Sequence, residues 1–396
     1  MASIKLAVVS THPIQYYAPM FRELATDPRL DLRVFYTWSQ AEQGRIRDGE
    51  FGIDLTWDLP LRDGYAHEFV PNVAPRPDHG RFFGLRTPAL VPAIRAFGAD
   101  AVLVFGWNSA SHFGAMRALK GRIPVFFRGD STLIDPQPAA RRAVRRALLT
   151  AVYRFVDVAL AVGSNNADYF RWCGVPDRRI AVVPHSIDVN RFADPTGQGA
   201  TQASAWRAEL GIPEDAPVAL FAAKFLPKKA PLHLAEAFGA SPGEAHLVFV
   251  GSGEQEPALR EIAARGPRIH LLPFQNQGAM PAVYRLGDVF VLPSVGPGET
   301  WGLALNEAMA SGRPVIASSR VGGARDLVRP DGTGWVFEAG DVAGLAATLA
   351  GALGEGRAGL LARGRAAAAA SAAFSSAATA RGIADAVVGR LAGGRG

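Results

Sequence analysis

Short apolar runs recur along this chain, separated by longer segments that mix apolar and polar positions. A first series comprises residues 5–10 (KLAVVS), 32–37 (LRVFYT), 101–106 (AVLVFG), 124–129 (PVFFRG), 157–163 (DVALAVG) and 179–185 (RIAVVPH). A second comprises 217–223 (PVALFAA), 246–251 (HLVFVG), 268–274 (RIHLLPF), 288–294 (DVFVLPS), 313–318 (RPVIAS) and 334–338 (GWVFE). Near-continuous apolar strands alternating with helices predict parallel sheets covered on both faces. Two series of six, separated by a polar stretch rich in Gly, Ala, Thr and Gln (193–205), predict an α/β protein of two doubly wound, Rossmann-like domains. The expected boundaries are a domain at 1–190, a linker at 191–215, a domain at 216–375 and a C-terminal helix at 376–396 packing back toward the first domain. The Ala-, Gly- and Arg-rich tail from 353 favours helix by propensity and carries too little bulky apolar surface for a third core. Ligands of such sheets bind beyond the carboxyl ends of the strands, so the expected site is a cleft faced by both domains.

Composition bounds the function. At 396 residues, 48% apolar and 20% charged, the chain is that of a globular protein with two cores. No apolar run reaches the length of a membrane span, and the N-terminal run is only a strand long, so the expectation is a cytoplasmic protein. Cys173 is the single cysteine, which excludes an intramolecular disulfide and fits a reducing compartment. The net charge of +6 comes mainly from arginine. Because Ala, Arg and Gly are enriched together, a coding bias explains it better than a nucleic-acid partner. Arg141, Arg142, Arg145 and Arg146 share one face of a predicted helix, with Val144, Leu148, Ala151 and Phe155 roughly opposite. That face could touch an anionic membrane surface peripherally, although solvated arginines over a core-facing side are the commoner arrangement.

Chemistry concentrates in GPGETWGLALNEAMASGRPVIA (296–317). Glu299 and Glu307 lie eight positions apart, around a glycine-rich turn that opens a helix, which Gly312 and Pro314 then stop. On one continuous helix the carboxylates would be about 12 Å apart. That exceeds the roughly 5–9.5 Å of a glycosidase pair and suits two grips on one elongated ligand. Free backbone N–H groups near Gly302 and Leu303 form an anion site. Lys224, Lys228 and Lys229 follow directly after a predicted strand, placed to neutralise a diphosphate. VGSGE (250–254) makes a second glycine turn, but no three-glycine dinucleotide fingerprint follows it or the first strand. The eight histidines are dispersed and no metal-binding or serine-hydrolase motif is present, so no metal site is expected.

Taken together, PSVGPGETWGLALNEAMASGRPVIAS (293–318), GGARDLVRPDGTGWVFEAGD (322–341), AAKFLPKKAPLHLAEAF (222–238), VGSGEQEPAL (250–259) and YRLGDVFVLPS (284–294) resemble the retaining glycosyltransferases of family 4, which have the GT-B fold. AVVPHSIDVNRF (181–192) is similar to the family's domain-closing segment. The resemblance implies that Glu299 holds donor-sugar hydroxyls and Glu307 the nucleotide ribose. Lys224, at the family's usual arginine position, and Lys229 would bind the donor diphosphate. The backbone at Trp301, Gly302 and Leu303 would help stabilise the departing diphosphate, and Phe274 and Gln275 would contact the base. Gly251, Gly253 and Thr300 belong to the same donor site, while Gly322 and Gly323 mark a turn. Three departures stand out: Thr300 replaces a common glycine, STHPIQYY (10–17) replaces a glycine-rich loop, and Arg128 in FFRGDS (126–131) replaces a sugar-contacting histidine. His12, Gln15, Arg128 and Asp130 are therefore the candidates for acceptor or sugar contacts.

The implied reaction moves a sugar from a nucleoside diphosphate sugar, UDP- or GDP-linked, to an acceptor hydroxyl with retention and without a metal or other cofactor. The acceptor could be a polysaccharide, a lipid-linked glycan or a small natural product. The alternatives are another GT-B enzyme, such as an epimerase or phosphorylase, and a non-catalytic sugar-nucleotide binder.

Overall fold

The computed structural model describes residues 3–40, 46–48, 53–55, 58–241 and 243–393. It divides into two units. The first comprises Met1–Ile46, Pro60–Ser186 and Ser376–Gly396, and the second Arg47–Leu59 and Ile187–Ser375.

The first unit is built on seven parallel strands: β1 (Ile4–Ser10), β2 (Leu30–Tyr36), β5 (His67–Phe69), β6 (Ala101–Phe105), β7 (Val125–Gly129), β8 (Val158–Ala161) and β9 (Ile180–Val182), in the order β5-β2-β1-β6-β7-β8-β9. Alternate side chains of each strand enter different cores, which is why these runs are apolar at every position. Ala7, Val9, Val102 and Val104 pack with α2 (Leu90–Phe97), α3 (Ala110–Leu119), α4 (Ala139–Tyr153) and α5 (Ser164–Trp172). Leu6, Val8, Ala101 and Leu103 pack on the other face with α1 (Ala18–Thr26) and α15 (Ser376–Ala392), through Ala380, Ile383, Ala384 and Val387 of the latter. The C-terminal helix thus completes the core of this unit.

The second unit carries six parallel strands: β10 (Val218–Ala222), β11 (His246–Val250), β12 (Ile269–Leu272), β13 (Val289–Leu292), β14 (Val315–Ser318) and β15 (Gly334–Phe337), in the order β12-β11-β10-β13-β14-β15. One face is covered by α8 (Pro231–Phe238), α9 (Glu256–Arg265), α13 (Val342–Gly354) and α14 (Gly356–Ser371). Helix α10 (Met280–Leu286) lies against β10, and α11 (Leu303–Ala310) against β13 and β14. The chain reverses its winding between β10 and β13, so the crevice for a ligand opens at their carboxyl ends.

Three expectations are corrected. Strand β5 escaped the reading because HEF is a three-residue edge strand with no apolar run. The short pair β3 (Ile46–Asp48) and β4 (Ile53–Leu55) escaped it as well. The segment read as a linker, 191–215, is largely helical: α6 (Val189–Ala193) and α7 (Gln198–Glu209) pack on α10. In α4 the buried residues are Leu149, Val152 and Tyr153, whereas Val144 and Leu148 are 72% and 56% exposed. The arginines of that helix lean toward α5: Arg142 lies 5.7 Å over the Trp172 ring, Arg145 5.7 Å over Tyr169, and Arg146 donates to the Trp172 carbonyl at 2.9 Å. Among the described residues no helix is long and apolar enough to cross a membrane.

Candidate active site

Apart from Glu307, which lies inside α11, the donor-side candidates sit at the carboxyl edge of the second sheet. Lys224 and Lys229 follow β10, Gly251 and Gly253 follow β11, Phe274 and Gln275 follow β12, and Glu299 to Leu303 link β13 to α11. The loops after β10 and β11 are joined backbone to backbone, Phe225 N–H donating to Ser252 O at 2.8 Å and Gln255 N–H to Phe225 O at 3.0 Å. That seam fixes where Lys224 emerges. The Gln275 amide donates to the Pro273 carbonyl at 3.2 Å, and the Phe274 and Gln275 side chains stay half-buried.

The central contact is a close ion pair between Lys229 Nζ and Glu299 Oε2, in which both side chains are mostly buried. Ser294 Oγ donates to the same carboxylate oxygen at 2.8 Å. Glu299 lies on the turn before α11, so the continuous-helix condition behind the 12 Å spacing is not met; the helix begins four residues later, at Leu303. Gly302 makes the transition with φ +87°, a left-handed conformation that strains any residue with a Cβ. No side chain caps α11, which leaves the amino end of its backbone to a ligand. The turn is anchored from behind: Gly322 N–H donates to Glu299 O at 3.0 Å and Gly323 N–H to Trp301 O at 2.7 Å. A Cβ on Gly322 would stand 1.8 Å from the Thr300 carbonyl oxygen, so only glycine allows that approach. Trp301 is buried and its indole donates to Asn306 Oδ1 at 2.7 Å, so its side chain braces the turn. Glu307 lies inside α11 and is 2% exposed. The Tyr284 hydroxyl, on α10, donates to its Oε2 at 2.6 Å.

Sequence reasoning passed over two of these partners. Tyr284 and Ser294 both stand in YRLGDVFVLPS, yet neither residue type signals that it will hold a carboxylate, because the pairings join residues 23 and 5 positions apart.

In the first unit, His12 follows β1 and meets Trp38 edge-on at 5.2 Å and His79 at 5.6 Å, while Trp38 and His79 stack at 4.4 Å. Burial, with the neighbouring His79, holds the His12 imidazole down to about 4. Gln15 is half-buried in the same loop. Arg128 is not open to a ligand: it is buried, and its terminal nitrogens donate to the Val183 and Pro184 carbonyls at 2.8 and 2.7 Å. It clamps the end of β9, which corrects its placement as a sugar contact. Asp130 stands nearby, within electrostatic reach of Arg128, Tyr17 and buried His185. Among the described residues no three His, Cys, Asp or Glu side chains converge as metal ligands do.

Burial and the Arg128 charge push His185 down to about 3. Its folded pKa lies below the unfolded value, so the stability it contributes is complete above pH 6.5 and drains as pH falls toward 3. His185 alone should account for about 2 kcal/mol of lost stability between pH 6.5 and 5. Urea unfolding at pH 7.5 and 5 should therefore show a smaller difference in His185→Gln than in the wild type; equal differences would overturn this attribution.

Two doubly wound parallel-sheet units, one presenting lysines and a carboxylate at its switch point, define the GT-B class of fold. Residues 202–367 match the family model of the Glycosyl transferases group 1, and residues 44–191 that of Glycosyltransferase Family 4. The chain belongs to these group 1 GT-B glycosyltransferases. A D-inositol 3-phosphate glycosyltransferase of Xylanimonas cellulosilytica is 34% identical over 195 residues, 48% of this chain and 46% of the relative. The chain spans about half the length of the curated relatives it matches. Among solved structures, sucrose-phosphate synthase from Thermosynechococcus elongatus superposes with a TM-score of 0.73 at 21% identity, covering 98% of this chain and 100% of that one. Anabaena Alr3699/HepE, solved in complex with UDP, gives 0.71 at 18% identity with the same coverage, and was also solved with UDP-glucose.

Proposed function

We propose that the chain is a retaining glycosyltransferase that moves a sugar from a nucleoside diphosphate sugar to an acceptor hydroxyl. The observation that carries this reading is the Lys229–Glu299 pair at the switch point, beside the open amino end of α11. An ammonium and a carboxylate held against each other at this edge can exchange partners, the lysine for a diphosphate and the carboxylate for sugar hydroxyls. Lys224, Lys229 and the backbone at Gly302 and Leu303 then stabilise the charge that grows on the departing diphosphate, in a site where aimed dipoles act strongly. Glu307, held by Tyr284, receives the ribose.

In the reaction the bond from the anomeric carbon to the diphosphate oxygen breaks through an oxocarbenium-like state. The acceptor oxygen bonds to that carbon on the same face, and its proton passes to the leaving diphosphate. Glu299 orients the sugar and forms no bond to it. The charge on the diphosphate is balanced by this chain's own cations, with no metal ion assigned a role. UDP is the first nucleotide to test, a choice supported by the UDP and UDP-glucose held in the Anabaena structures.

Thermal shift against UDP, GDP, dTDP and ADP tests the nucleotide. One of the four, supplied at a hundred times its Kd, should stabilise the protein by about 2.7 kcal/mol. No stabilisation by any of them would sink the reading, and sugar-nucleotide conversion without an acceptor would replace transfer by epimerisation.

A further inference from the structure

We propose that the pocket between α7 and the start of α10, in the second unit, binds a neutral saccharide apart from the residues assigned to transfer. The inference goes beyond the transferase reading and does not depend on it, because none of the donor-side candidates lines this pocket.

The pocket has a volume of about 600 Å³, within the roughly 300–1,000 Å³ of small-molecule sites. Its walls come from α6, the loop that follows it, α7 and residues 278–282. Gln198, Gln202 and Trp206 recur every four residues along α7, so one side of that helix brings all three to the wall.

The frame around them is fixed. Asp194 takes a left-handed backbone with φ +54°, uncommon for a residue with a Cβ. Its carboxylate accepts from the Gly199 and Ala200 N–H groups at 3.1 and 2.9 Å, which ties the loop to the first turn of α7. Gly199 lets that turn approach α10 closely, since a Cβ there would stand 3.2 Å from the Ala282 nitrogen. Arg191 donates to the Gln277 carbonyl and, at 3.2 Å, to its Oε1, joining α6 to the segment before α10.

Two properties of the lining set the ligand class. The first is charge. Arg191 and Asp194 are its two charged residues, and both are committed: the arginine to Gln277, the aspartate to two backbone amides and to Arg285 at 3.5 Å. An anion entering here would meet no uncommitted cation. The second is the supply of hydrogen-bonding groups. The Thr196 hydroxyl, the Gln198 and Gln202 amides and the Trp206 indole N–H have no partner among the described residues. Each amide offers two donors and an acceptor, and a sugar hydroxyl both donates and accepts, so the two sets match.

The rest of the wall suits the same ligand. Trp206 is half-buried and contributes a broad apolar ring, while Pro195, Pro281 and Ala282 add further apolar surface. A pyranose divides in the same way, with C–H groups on its faces and hydroxyls around its rim. A peptide would instead ask for a free strand edge or a long apolar groove, and no lining residue belongs to a strand.

Fluorine NMR of the full chain labelled with 5-fluorotryptophan gives each tryptophan its own line, and Trp206→Phe identifies the line to follow. Titrations with the methyl glycosides of glucose, galactose, mannose and N-acetylglucosamine, run in saturating UDP, should move the Trp206 line with at least one of the four. Inorganic phosphate should leave it in place. Gln198 and Gln202 are exposed and alanine favours helix, so the double variant Gln198→Ala/Gln202→Ala should keep the fold and bind that glycoside about tenfold more weakly. Failure of all four glycosides to move the line, a response to phosphate in their place, or undiminished binding by the double variant would overturn the proposal. Absence of UDP binding would overturn the donor-site reading alone, and the glycoside titrations would still decide what this pocket takes.

Discussion

Glu299→Gln should lower kcat about a thousandfold while leaving UDP affinity equal to or above that of the wild type. The argument is one of competition. The Glu299 carboxylate holds Lys229 in a close pair, and a diphosphate binding there must draw the ammonium away from it. The neutral amide keeps the shape and removes the competing charge, so the nucleotide loses nothing. The sugar, however, loses a charged acceptor for its hydroxyls in the transition state. Removal of one aimed group of this kind typically costs about 10²–10³ in rate. Lys229→Ala should behave differently: UDP affinity and turnover should fall together, because the role proposed for the lysine puts it on the leaving group in both ground and transition states. Steady-state transfer assays with parallel UDP titrations separate the two patterns. Near-normal transfer by both variants, or loss of UDP binding in Glu299→Gln alone, would defeat the assignment.

The clustering of the second unit's candidate residues at one sheet edge was legible because its parts are local in sequence. Each lies within a few residues of a strand end, and each strand announces itself by being apolar on both faces, as Val218–Ala222 and Val289–Leu292 do. Once the strands are placed, parallel winding delivers Lys229 and Glu299 to one edge, although 70 residues separate them. What could not be read is which polar side chain holds which. Ser294 and Tyr284 carry no pattern that distinguishes them from any core serine or tyrosine.

The first unit was harder for two physical reasons. Along α4 and the turn after it, the sets Val144, Leu148, Ala151, Phe155 and Arg145, Leu149, Val152, Val156 both satisfy helical spacing, and only packing decides: Leu149, Val152 and Val156 enter the core, whereas of the first set only Phe155 packs against it. Arg128 read as a ligand group because it sits at a strand end, where ligands bind; its burial against the Val183 and Pro184 carbonyls depends on residues more than fifty positions away. A pocket beside it, with Trp107, Phe127, Tyr153 and Tyr169 in its lining, was invisible for the same reason, its rings coming from four separate places in the chain.

Asp288→Ala should destabilise the second unit by about 3–5 kcal/mol, more than any exposed ion-pair deletion in this chain. Asp288 immediately precedes β13 and is 1% exposed. Its carboxylate accepts from the Val218 backbone N–H at 2.9 Å, from Arg207 on α7 at 3.2 Å and from Arg357 on α14 at 3.2 Å. One side chain thus ties β10, α7 and α14 together at the amino edge of the sheet. Without it, Arg207 remains buried with its charge uncompensated, and a guanidinium in that position cannot recover its hydration. Arg357 is a third exposed and can turn toward water, so it adds little to the loss. Arg207→Met should cost less than Asp288→Ala, because Asp288 keeps the Val218 amide and Arg357 and an unbranched apolar chain fills the space. The comparison also explains why α7 belongs to the unit although its sequence reads as a connector: its anchor is one buried arginine, not an apolar stripe. Urea unfolding of the two variants measures the difference, and a loss below about 1 kcal/mol for Asp288→Ala would show that solvent reaches Arg207 and that the network does not hold these elements.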